Sequence, residues 1–120
     1  MRATDEAAVR EFPELVGLII LREAGWRFLP PRPLGGTLTD LHGFRAWPGG
    51  WTDAIRVRSP TDVMALRSDG REPPGVVWER TGTLGHVIGE LLALPAPNEP
   101  SAPRLVRSPA PILWTPSRTR

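Results

Sequence analysis

Residues 44–68 constrain the fold more than any other stretch of the chain. Residues 44–47 and 51–57 are rich in aromatic and β-branched side chains, and Pro48-Gly49-Gly50 separates them. Proline fixes one turn dihedral and two glycines accept positive φ, so this reads as a hairpin. Ser59-Pro60-Thr61 forms the next turn and residues 62–68 the next strand. In the second strand Trp51, Ile55 and Val57 fall on one face, while Thr52, Arg56 and Arg58 fall on the other. Such alternation marks an antiparallel strand half buried on a core. Asp53 falls on the apolar side and breaks the pattern. In residues 62–68, Met64 and Leu66 share one face, and Val63, Ala65 and Arg67 share the other.

The flanks supply helices and shorter strands. Residues 5–25 read as helix, with Asp5 as N-cap. Pro13 either interrupts an early start or opens a second helical segment, where its missing N–H costs nothing. Leu15, Val16, Leu18, Ile19 and Ile20 cover most of the circumference, which predicts a well-buried helix. Arg22 and then Gly25 form its stop signal. Residues 26–29 read as a short strand, the proline-rich residues 30–36 as a rigid connecting loop, and residues 35–39 as another short strand. After a long turn over 68–75, residues 76–80 form the last strand. Thr83 caps a second helix that runs to residue 94. Its stripe of Leu84, Val87, Ile88, Leu91 and Leu92 follows helical spacing. Gly85 and Gly89 inside it each cost about 1 kcal/mol relative to alanine, and are read as letting the helix lie close to the sheet. Pro95 ends it.

Beyond residue 94 the composition changes. Residues 95–120 hold seven of the fifteen prolines and no glycine, which predicts an extended path near polyproline II. Leu105, Val106, Ile112, Leu113 and Trp114 are too apolar for a plain solvated tail. The segment either packs along the domain or anchors a partner, and packing is the favoured reading. The predicted architecture is α+β: an N-terminal helix, an antiparallel meander of four to five strands and a second helix within residues 1–94. Residues 95–120 form an extended proline-rich segment on its outside.

Composition excludes more than it proposes. A chain of 120 residues, 40% hydrophobic and 23% charged, is sized for one packed domain. With no cysteine there is no disulfide framework and no thiolate chemistry, and a reducing, cytoplasmic setting is expected. The apolar run over residues 15–21 is too short to span a bilayer, so no membrane partner is expected. The sequence pI of about 10.9 accompanies a net charge of only +2. All fifteen basic residues are arginine, and lysine and tyrosine are absent. Almost nothing then titrates between neutrality and the arginine range, so a small excess of charge gives an extreme pI.

The chemistry-bearing residues are few. Asp40 and His42, with Asp53 across the hairpin, make the one combination that suits a base and its orienter or half a metal site. The simpler reading is a loop histidine beside a turn-forming aspartate, because the spacing matches no metal motif. His86 lies opposite the helix stripe and is expected to be exposed. Thr81-Gly82-Thr83 opens a helix whose N–H groups suit an anion, though ordinary capping accounts for it. No phosphate loop is present. No catalytic residue, metal or cofactor is therefore expected. Arg45, Arg56, Arg58 and Arg67, with Arg80, lie on expected strands. Beside Trp47 or Trp78 they suit stacking and phosphate contact, or simply a solvated sheet face that deters edge pairing. Nucleic acid is thus the alternative partner, with Arg45, Arg56, Arg58 and Arg67 as its contacts.

Five tryptophans serve this short chain. Trp26, Trp51 and Trp78 read as core. Trp47 at the hairpin and Trp114, with Leu113, in the tail read as interface anchors, since aromatic anchors dominate binding energy. A protein partner is therefore the favoured reading. The strings Trp47-Pro48-Gly49-Gly50-Trp51, with Asp53-Ala54, and Pro74-Gly75-Val76-Val77-Trp78 are distinctive. So are Leu91-Leu92-Ala93-Leu94-Pro95-Ala96-Pro97 and the closing Leu113-Trp114-Thr115-Pro116. Together they resemble small proteins of high-GC bacteria encoded beside caspase and TPR-repeat genes in conflict systems. That resemblance implies a non-enzymatic accessory or regulator of a defence locus, with a caspase-like or TPR-repeat partner. It carries over no catalytic residue.

Overall fold

The alternating middle of the chain folds as its period requires. The structure, a computed structural model, describes residues 16–29, 32–34 and 37–109. Helix α1 (Val16–Glu23) is followed by strands β1 (Arg27–Phe28), β2 (Arg32–Leu34), β3 (Thr37–Thr39) and β4 (Leu41–Ala46). Then come β5 (Thr52–Ser59), β6 (Asp62–Ser68), β7 (Gly75–Gly82), helix α2 (Leu84–Ala93) and β8 (Ser108–Pro109). Six strands form one antiparallel sheet in the order β1-β4-β5-β6-β7-β8.

The α+β class holds. The expected four or five strands become six, because two-residue strands close both edges. The expected loop over residues 30–36 is corrected in part. Arg32–Leu34 pairs with Thr37–Thr39 in a separate two-stranded ribbon. Such a ribbon accepts Pro33 because one side of each strand is free of ladder bonds. The part of the first helix that was read over residues 5–15 lies outside the described residues.

Both helices cover one face of the sheet. Leu18, Leu21, Trp26, Ile55, Val63, Ala65, Val77, Trp78, Leu84, Val87, Ile88 and Leu91 make one buried cluster, with Trp51 and Val57 against it. Each fully buried aliphatic side chain in such a cluster contributes roughly 1.5–3 kcal/mol. The helix ends are built as the sequence indicated. Trp26 N–H donates to Leu21 O at 3.1 Å and Gly25 N–H to Arg22 O at 3.1 Å, with Gly25 at φ 110. This Schellman arrangement satisfies the last carbonyls and swings Trp26 back onto Leu21. Thr83 Oγ1 accepts from His86 N–H at 3.3 Å, capping α2. Leu84 N–H donates to Pro60 O at 2.8 Å, which ties α2 to the β5–β6 turn.

One expectation about packing is corrected. A Cβ added at Gly85 or Gly89 meets nothing within 4 Å, so these glycines do not bring α2 close to the sheet. The close approach is at Gly17, where a Cβ would lie 2.7 Å from Ile88 Cδ1. It joins α1 to α2.

The opposite face carries Phe44, Ala54, Met64, Leu66 and Val76, of which Ala54 is fully buried. Beyond α2 the chain makes a turn, with Ala102 N–H donating to Glu99 O at 3.1 Å, and buries Ala102. Val106 then lies over Gly75, and β8 pairs with Gly75 and Val76. Leu105 is 85% exposed. Leu113 and Trp114 lie outside the described residues. No helix among the described residues is long and apolar enough to cross a membrane.

Candidate functional site: the Arg45–Trp47 end of the sheet

Asp53 breaks the apolar face of β5 for a definite reason. The register places it between Arg45 of β4 and Arg67 of β6, and all three share the helix-covered face. Arg67 is 0% exposed and Asp53 4%. Arg67 Nε donates to Asp53 Oδ1 at 2.6 Å and Nη2 to Oδ2 at 3.0 Å. The remaining Arg67 nitrogen, Nη1, donates to the Pro95 carbonyl at 2.6 Å, just past α2. Desolvated charges persist when they are paired and further hydrogen-bonded, as here. Trp47 completes the group, its indole Nε1–H donating to Asp53 Oδ2 at 2.9 Å.

The turn that carries Trp47 is equally fixed. Trp47 N–H donates to Trp51 O at 2.8 Å, and Gly49 and Gly50 take φ 85 and 87. This turn rests on the β6–β7 turn, where a Cβ at Gly70 would lie 2.1 Å from Gly49 O. Trp47 is thus held by its indole, by its backbone and by a packed turn, and stays half-buried. The Arg45 guanidinium lies 4.0 Å from the centre of its ring. Arg67 lies below at 5.7 Å. Among the described residues no carboxylate pairs with Arg45.

A second charged cluster sits on the other face. Asp40, at φ 60, accepts from Arg56 Nε at 2.6 Å and Nη2 at 3.0 Å. His42 Nε2 lies 3.4 Å from Asp40 Oδ1. The Arg56 hydrogen bonds hold Asp40's carboxyl below its usual range, against the opposing effect of desolvation. Arg56 in turn holds its own proton more tightly than usual, mainly through the same hydrogen bonds. His42 is a strand residue within β4 and not the loop residue expected. It sits across from Arg56, so it faces away from Asp53, three residues earlier on β5. Asp40, His42 and Asp53 therefore do not converge. Among the described residues no group of three or more acids or histidines is placed to hold a metal.

The arginines do not form one patch. Arg67 as a nucleic-acid contact is corrected, because its fork is buried and spent on Asp53 and Pro95. Arg56 is bound to Asp40 on the opposite face from Arg45. Arg58 is exposed, at a register irregularity near the end of β5. Arg80 lies 5.1 Å from the Trp78 ring and pairs with Glu90 at 3.1 Å. Trp78 and Trp26 are core, as read, and Trp51 is half-buried against it. The sequence reading set the strand arginines beside Trp47 or Trp78 without singling out Arg45 as the one that lies on the Trp47 ring. The spacing of two between Arg45 and Trp47 along a strand was the available signal, since it places both on one face.

Comparison of the chain with family models, curated proteins and solved structures finds no match.

Proposed function

We propose that the chain is a non-enzymatic protein-interaction accessory or regulator that meets its partner through the Arg45–Trp47 end of the sheet. The observation that carries this reading is the half-buried Trp47, held on three sides with Arg45 stacked on it. An aromatic anchor already fixed in place loses little side-chain freedom on binding, which favours affinity. The separation of Asp53 from Asp40 and His42 supports binding over hydrolysis. The burial of Arg67 and the pairing of Arg56 favour a protein partner over nucleic acid. Trp114 and Leu113 are proposed as further contacts in the same interaction. The resemblance to accessory proteins of bacterial conflict systems implies a defence role with a caspase-like or TPR-repeat partner.

The test is affinity purification of the tagged protein from its native cell, with and without nuclease, for the parent chain and for Trp47→Ala and Trp114→Ala. Far-UV circular dichroism establishes that each variant is folded. A protein recovered with or without nuclease, and lost in folded Trp47→Ala, is the expected result. Recovery of that partner by both folded variants overturns the interface. Recovery that disappears with nuclease moves the function to nucleic acid.

A further inference from the structure

We infer that the Arg45–Trp47 pair is a receptor for a carboxylate carried on an acidic segment of the protein partner. This rests on the reading of Trp47 as part of an interface, and names the chemistry that would fill it. The cluster holds two arginines and one aspartate on neighbouring strands. Asp53 is fully committed, accepting twice from Arg67 and once from the Trp47 indole. Arg45 sits directly across from Asp53 in the register, yet receives no carboxylate among the described residues. Its guanidinium rests on the indole instead, at 4.0 Å. Stacking uses the face of the guanidinium plane and leaves the N–H edge for an acceptor. Arginine's fork matches a carboxylate with two parallel hydrogen bonds.

The support beneath the pair distinguishes it from an ordinary surface arginine. The ring under Arg45 is anchored through Asp53 to a fully buried arginine, and through that arginine to the chain beyond α2. A receptor on such a base is oriented before its ligand arrives. A phosphate backbone is a poorer match. It needs a track of cations, whereas Arg56 faces the other side and Arg67 is sealed. One fork beside one flat ring fits a single acidic side chain next to an apolar one.

The experiment titrates the full chain with a short blocked oligoglutamate peptide and follows the Trp47 indole Nε1–H resonance. Comparison with Trp47→Phe assigns that resonance. A saturable shift is expected, weakened by salt, with apparent affinity falling about tenfold or more in Arg45→Ala. Arg45→Lys keeps the charge and loses the fork, and binds between the two. No saturable shift, or one unchanged by Arg45→Ala, overturns the inference. A tighter shift with single-stranded oligonucleotide than with oligoglutamate also overturns it. Should oligoglutamate fail while folded Trp47→Ala still loses its protein partner, the interface stands and the acidic preference falls.

Discussion

Removing Asp53 is the most informative perturbation of this fold. Asp53→Val leaves the guanidinium of Arg67, 0% exposed, with the Pro95 carbonyl as its one remaining acceptor among the described residues. It removes hydrogen bonds of 2.6 and 3.0 Å to that buried cation, and the acceptor of the Trp47 indole at 2.9 Å. Breaking a buried pair from one side costs about 3–5 kcal/mol, because the surviving charge stays desolvated. That is a large share of the roughly 5–15 kcal/mol that holds a domain folded. Arg67→Met should cost a similar amount, since Asp53 is then buried with the indole as its remaining side-chain donor. The double variant Asp53→Val with Arg67→Met buries no charge. It should fall within about 2 kcal/mol of the parent, with the orphaned indole N–H accounting for about 1 of them. The assay is urea unfolding followed by far-UV circular dichroism on all four proteins. The double variant must fall short of the sum of the single costs by at least about 3 kcal/mol. Additive costs, or single costs below about 1 kcal/mol, would refute the account of a desolvated, mutually dependent pair.

Other perturbations separate the remaining structural claims. Gly89→Ala should raise stability by about 0.5–1 kcal/mol, because it faces open space in a helix interior, and Gly85→Ala by less, because it lies in the first turn, and thermal melts will read this. Gly17→Leu forces atoms into Ile88 and should cost about 1–3 kcal/mol, with part of the loss recovered by Ile88→Ala in the same melt. Asp40→Asn keeps a residue tolerant of positive φ while removing the charge that Arg56 and His42 face. Asp40's folded pKa is lowered from 3.8, so its contribution is complete above that value and is lost as pH falls through the folded one. The side chain is 40% exposed, so screening limits the effect to less than about 1 kcal/mol. Unfolding curves of the two proteins should converge as pH drops below the carboxylate range.

The sheet and the second helix were legible because their information is local. A period of two along residues 51–57 and a helical stripe from Leu84 to Leu91 require no knowledge of distant chain. Of the two edge strands, β1 fell within the short strand read over residues 26–29, while β8 was not legible. Ser108–Pro109 pairs with β7 only because the chain beyond α2 returns to it, and nothing in two residues announces a strand. The candidate site was half visible. Asp53 was noticed as an anomaly, and Arg67 was assigned to the same face as Val63 and Ala65. Placing both on inward positions of adjacent strands would have paired them, but that needs the register. Reading Arg67 as solvated followed the ordinary habit of arginine, which the paired aspartate and a backbone carbonyl override here. The glycines of α2 misled because a small residue has two opposite uses, close contact or none, and only packing tells which.

The uneven covering of β7 bears on how readily one copy of the chain can add to another. Gly75 and Val76, at the apolar end, are covered by β8, while the outer edge past Val76 has no strand partner among the described residues. The uncovered part reaches Glu79 and Arg80, and charges on an open edge discourage another chain from adding to it. The return of the chain after α2 is therefore also a guard against self-association. A chain ending at residue 100 would bare Gly75 and Val76 as well, so that the open edge would run through the whole of Gly75-Val76-Val77-Trp78, a sequence well suited to stacking strand on strand. Light scattering over time should show such a shortened protein gathering into large species while the full chain stays clear.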